Sequence, residues 1–144
     1  MKILFNKCHE KDACIVSCVS MILDKNPEHV FAEIYKTYVS LRDADEEKTF
    51  LKSYIEMHGL SCTYELPHEL DEGLYLAVIS TRSGGWHAVL VSIYKGELKV
   101  VDPDMITQRT FYGFDAQAYT PRGFYPVLKI DWDDYANFHG DKVL

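Results

Sequence analysis

Cys14, His87 and Asp102 are the residues of this chain whose types and spacing could support nucleophilic chemistry. A cysteine attacks carbonyl carbon as the thiolate, which the first turn of a helix favours through its unpaired backbone N–H groups and positive dipole end. Cys14 is expected in such a turn, because residues 12–23, DACIVSCVSMIL, read as a buried helix, apolar on nearly all sides, with Asp12 as N-cap. The same N–H groups can supply half of an oxyanion hole. A base working near neutral pH is then needed, and imidazole, with an ordinary pKa of about 6.5, suits. Of the six histidines, His87 stands out because it opens a strand directly after Ser83-Gly84-Gly85-Trp86, while His9 competes by its nearness to Cys14 in sequence. Asp102 ends the next strand candidate, stopped by Pro103, where a carboxylate can bond the imidazole and fix its tautomer.

Each residue also has a plainer reading. A buried thiol behaves as a small hydrophobe, as Cys18 and Cys62 are expected to do. A histidine can simply be polar at a strand edge, and Asp-Pro commonly makes a turn. The pairing of His87 with Asp102 favours chemistry over these alternatives.

The elements that must hold this trio are legible as patterns. Pro27 opens a second helix through about Val39, with Val30, Phe31, Ile34 and Tyr38 at helical spacing. The acidic stretch from Asp43 to Glu47 leads a third, with Phe50, Leu51, Tyr54, Ile55 and Met57 on its apolar face and Gly59 at its end. Beyond it, strand-like runs cover residues 61–66, 74–80, 88–94, 98–101 and 126–130. Lys95-Gly96-Glu97 is a compact turn, so 88–94 and 98–101 form a hairpin with His87 and Asp102 at its open end. Helices first and strands later predict an α+β fold, an N-terminal helical layer on a C-terminal antiparallel sheet. Residues 1–144 are expected to form a single domain, with the segment from Asp131 a loosely docked extension.

Composition narrows the function. A net charge of -7 with scattered Lys and Arg argues against nucleic acid and anionic membrane as partners. No run approaches the roughly 18 apolar residues that span a bilayer, and MKILF is too short for a signal peptide, so a cytoplasmic location with reduced cysteines is expected. Cys8, His9, Cys14 and Cys18 crowd together, yet contain no C-x2-C pair, so neither a metal nor a cofactor is expected.

Taken together, DACIVSCVSMIL, HGLSCTYEL and HAVLVSIYKGELKVVDP resemble the bacteriocin-processing, double-glycine-leader peptidases, a compact branch of the papain-like cysteine peptidases. The resemblance covers roughly residues 6–104. It implies a papain-like fold with Cys14 as nucleophile, Cys18 and Met21 packed inside its helix, His87 as base and Asp102 orienting it. The implied activity is cleavage of a peptide or isopeptide bond in a peptide or protein substrate through a thioester. Two positions depart from the family pattern: Ile15 stands where glycine usually follows the nucleophile, and Cys8 where a glutamine completes the oxyanion hole. A thiol is a poor substitute for an amide donor. Asn6, His9 or a backbone N–H are the replacements the sequence offers, and a catalytically silent binding module or a related acyltransferase or deamidase are the alternative functions.

Overall fold

The structure, a computed structural model, describes residues 13–64, 71–80, 86–103, 109–111 and 124–143. Three helices come first: α1 (Cys14–Leu23), α2 (Pro27–Tyr38) and α3 (Ala44–Met57). Strands β1 (Gly73–Ser80), β2 (Trp86–Tyr94), β3 (Glu97–Val101), β4 (Arg109–Phe111) and β5 (Phe124–Ile130) follow, and α4 (Trp132–His139) closes the series. The strands form one sheet in the order β4-β3-β2-β1-β5, each neighbouring pair antiparallel. The expected α+β arrangement, helices packed on an antiparallel sheet, is what the chain adopts.

The all-round apolar character of α1 has its reason in its position. It packs against both α2 and β2, and Val16, Cys18, Val19, Met21 and Ile22 are wholly buried. Leu74, Leu76, Ala88, Leu90, Leu128 and Ile130 meet it from the sheet, joined by Val30, Ile34, Leu51 and Ile55 from α2 and α3. The other residues of the strands, Tyr75, Ala77, Val89, Val91, Ile93, Leu98 and Val100, build a second buried cluster. Both sets alternate along the strands, as the two-residue period requires.

Local chemistry sets the ends. Asn26 caps α2 by accepting from the Glu28 N–H at 2.9 Å, with Pro27 in the first helical position. Asp43 caps α3 by accepting from the Glu46 N–H, while the Glu46 carboxylate reaches back to the Arg42 N–H. Gly59, at φ +99°, lets the chain leave α3 with the Leu60 and Gly59 N–H groups donating to the Ile55 and Glu56 carbonyls. Lys95 and Gly96 both have positive φ, the two-residue loop that matches strand twist, and set the β2–β3 register from Tyr94↔Glu97 to Leu90↔Val101.

Three expectations are corrected. Residues 61–64 make a single bridge, Thr63 with Lys129, rather than the start of a strand over 61–66, and 65–66 lie outside the described residues. The short strand β4 was not foreseen: three residues carry too little pattern to stand out. The segment from Asp131 is not a loose extension. Asp131 caps α4, Trp132 is 5% exposed with its indole N–H donating to the Ile93 carbonyl at 2.7 Å, and a His139 ring nitrogen bonds the Ile22 carbonyl at 2.6 Å. Its acidic residues face solvent while Trp132, Tyr135 and His139 share one buried helical face.

Candidate active site

Cys14 is the first residue of α1, where the sequence places it. The expected cap is different: Ala13 occupies the N-cap position and makes no side-chain cap, and Asp12 lies outside the described residues. An alanine side chain cannot accept from the first-turn N–H groups, and among the described residues no side chain caps them. One of them, the Ile15 N–H, is directed at the Cys14 sulfur.

His87 enters from β2 and Asp102 from the residue just past β3. His87 Nε2 and Asp102 Oδ1 are 2.6 Å apart, and their side chains are only 13% and 7% exposed. By strand alternation both fall in step with Val89, Val91 and Val100, so carboxylate and imidazole share one side of the hairpin's open end. The imidazole also hydrogen-bonds the Cys14 thiol, and with Nε2 committed to Asp102, Nδ1 is the nitrogen left for sulfur. The structure therefore brings Cys14, His87 and Asp102 into one chain of contacts.

The electrostatics follow from these contacts. Burial alone would raise the Cys14 pKa. The hydrogen bond from His87, the Ala88 N–H, the His87 charge and the Ile15 N–H outweigh it, and the thiol is held below its ordinary value. His87 is pushed up to about 10, first by the Asp102 hydrogen bond and then by that to Cys14, against the opposing effect of burial. Both shifts favour a thiolate–imidazolium pair over thiol and neutral imidazole. Cys62 moves the other way, up to about 11, because burial dominates. Burial is complete for Cys18 and Met21, as expected for residues packed beneath the nucleophile.

Some proposed residues lie elsewhere. Cys8, Asn6 and His9, the sequence's choices around the oxyanion position, fall outside the described residues. His139 bonds the end of α1, and His58 lies beside Lys25 and Glu33. Tyr38, in the last turn of α2, is a further residue on this side of the chain. Tyr38 packs half-buried on the same core as Cys14, and burial together with the charges of Glu47 and Cys14 pushes its hydroxyl pKa up. The signal was present in the short link over 24–26, which folds α2 back along α1 and lays Tyr38 against the nucleophile's turn.

No family model matches the chain, and no curated protein matches it. Among solved structures it is similar to a double glycine motif protease from an AMS/PCAT transporter, solved in complex with the leader peptide. The TM-score is 0.55 at 16% sequence identity, over 90% of this chain and 92% of that one. At that identity the likeness is one of fold, and the chain has the fold of a papain-like peptidase.

Proposed function

We propose that the chain is a cysteine-nucleophile hydrolase that cuts a peptide or isopeptide bond, with Cys14 as nucleophile, His87 as acid and base, and Asp102 orienting His87. The observation that carries this is the shared imidazole, bonded to Asp102 through Nε2 at 2.6 Å and to the Cys14 thiol on the same ring. The likeness of fold to a protease holding a leader peptide supports a peptide as substrate class. Residues 1–144 acting as one domain, and a cytoplasmic location, belong to the same reading.

In this mechanism the Cys14 thiolate attacks the carbonyl carbon, and the carbonyl oxygen becomes an oxyanion beside the first turn of α1. The His87 imidazolium gives its proton to the leaving amine as the C–N bond breaks, leaving a thioester on Cys14. With sulfur acylated, the thiolate no longer raises the His87 pKa, so the neutral ring becomes accessible as base for water. Hydrolysis of the thioester releases the acid and regenerates the pair.

The test is incubation of the full chain with a mixed peptide pool, read by mass spectrometry beside Cys14→Ala. New termini appearing only with the native chain are expected, and equal cleavage by both would overturn the proposal. Cys8 at the family's glutamine position favours one second reading, a silent module that binds peptide without turnover. It predicts peptide retention with no cleavage by either chain.

A further inference from the structure

The closed end of the β2–β3 hairpin carries a cavity of about 290 Å³, lined by Ser92 and Tyr94 from β2, Lys95 from the loop, and Glu97 and Lys99 from β3. The register pairs Ser92 with Lys99 and Tyr94 with Glu97, so these side chains stand on one face of the ribbon. They are in step with Ala88, Leu90 and Val101, which pack on the helix-side core. His87 and Asp102 lie at the other, open end, so most of the hairpin separates the cavity from the candidate active site.

Ser92 breaks an otherwise apolar stripe. It is 5% exposed, and its hydroxyl has no hydrogen-bond partner among the described residues. Buried Ser20 meets the same need by donating to the Val16 carbonyl one turn back at 2.7 Å, but a strand directs a side chain away from its own backbone and offers Ser92 no such carbonyl. What remains exposed of Ser92 is wall of the cavity, so its donor is left for an occupant.

Lys99, opposite Ser92, is half-buried, and its ammonium makes no ion pair among the described residues. The Lys95 ammonium lies 5.4 Å from the centroid of the Tyr94 ring. That ring is held edge-on by Trp132 at 5.7 Å, and Trp132 is itself fixed by its indole N–H to the Ile93 carbonyl. The cavity thus combines a firmly held aromatic wall, an unpaired ammonium and a buried hydroxyl.

We propose that this cavity binds a small organic oxyanion, a carboxylate or phosphate monoester carried on a flat apolar body. The Lys99 ammonium and the Ser92 hydroxyl both donate to the anion's oxygens, and Lys95 adds a second positive charge. Two ammonium groups against the one carboxylate of Glu97 make the lining net positive in a chain of net charge -7, which draws an anion here rather than to the surrounding surface. Tyr94 offers the apolar body a ring to pack on, and the volume is at the small end for pockets that take organic ligands. The site stands apart from the peptidase reading of Cys14 and does not depend on it.

The experiment titrates the full, isotopically labelled chain with phenyl phosphate, with benzoate and with benzylamine as the cationic control, following backbone amide shifts by NMR. Saturable shifts centred on residues 92–99 are expected with the anions and not with benzylamine, and the tighter anion identifies the head group. Lys99→Ala should weaken anion binding by about tenfold or more and Ser92→Ala by about threefold or more, the effects of losing a charged and a neutral hydrogen bond. Lys36→Ala, exposed on α2, makes the same change in net charge as Lys99→Ala and should bind like the native chain. Lys99→Gln, which keeps most of the side chain without its charge, decides the matter should Lys99→Ala not fold. Absence of saturable shifts at 92–99, equal shifts there with benzylamine, or anion binding unchanged by loss of the Lys99 charge would overturn the proposal.

Discussion

Asp102 and His87 meet at 2.6 Å without being cross-strand partners. The last ladder pair of β2 and β3 is Leu90↔Val101, so one further step faces Asp102 with Val89 and makes its contact with His87 a diagonal one. Residues two apart on a strand share a face, so the diagonal keeps carboxylate and imidazole on one side of the sheet. Pro103 follows at once and cannot donate to a continued ladder, which frees the strand end there. The register is set at the other end of the hairpin, by the Lys95-Gly96 loop.

Removing the Asp102 charge should therefore weaken the thiolate through the histidine. Asp102→Asn keeps an oxygen that accepts from Nε2–H but drops the charge, so His87 becomes less basic and Cys14 less ionised. Alkylation of Cys14 at pH 6 is expected to slow by about tenfold, the effect of one pKa unit on the thiolate fraction. Asp102→Ala should slow it further and destabilise the fold by about 3 to 5 kcal/mol, since a buried partner is lost. Equal alkylation rates in all three proteins would separate Asp102 from the reactivity of Cys14.

The described cysteines should react in a fixed order. Cys14 is partly exposed with a depressed pKa, Cys62 is nearly buried with its pKa at about 11, and Cys18 is wholly buried. With iodoacetamide near neutral pH, Cys14 should be modified first, Cys62 only as the solution becomes strongly alkaline, and Cys18 on unfolding. The pH profile of the Cys14 rate should level off below the ordinary thiol value of 9.0. Uniform, slow modification would mean that the first turn of α1 and His87 do not activate the sulfur.

Helix α4 should prove necessary to the fold and neutral to the site. Trp132 fills the helix-side core, stacks edge-on to Tyr94 and Tyr135, and satisfies its indole N–H at the Ile93 carbonyl. Trp132→Ala is expected to lower unfolding stability by about 3 to 5 kcal/mol in urea titration. The Cys14 alkylation rate in the still-folded variant should match the native one. A loss below about 1 kcal/mol would show that the segment from Asp131 is loosely attached after all.

The sequence carried the site further than the periphery, for physical reasons visible in particular residues. The helix of Cys14 and the hairpin of His87 and Asp102 rest on local signals: an unbroken apolar run, a Lys-Gly turn and a strand-ending proline. These act within a dozen or so residues and survive tertiary context. Trp132, Tyr135 and His139 form a buried stripe as well, but Asp133, Asp134 and Asn137 between them hide it unless a helix is assumed first. Tyr38 looked like one more core aromatic, because helical spacing gives the buried face without saying which turn of α1 it covers. The packing of Tyr38 on the core shared with Cys14 joins two helices, and no local pattern encodes it.

The His87–Asp102 pair should also leave a mark on stability against pH, with a sign that its geometry fixes. In the folded chain His87 holds its proton more tightly than an unfolded histidine of about 6.5, so the folded state binds more protons above that value. The contribution is fully present below pH 6.5 and lost as pH rises through the folded pKa. In the native chain this window, which ends near 10, overlaps the opposite effect of Cys14, whose lowered pKa stabilises the fold above 9.0 and loses that contribution as pH falls. Cys14→Ala removes the overlap and leaves Asp102 as the main cause, so the folded His87 pKa should lie between 6.5 and about 10. Urea unfolding of Cys14→Ala is then expected to show stability falling between pH 6 and pH 9 by on the order of 1 kcal/mol. The double variant Cys14→Ala/Asp102→Ala, which lacks both the carboxylate and the thiol, should show a much smaller decline. A decline of the same size in both variants would assign it to other groups and leave the carboxylate without hold on the imidazole.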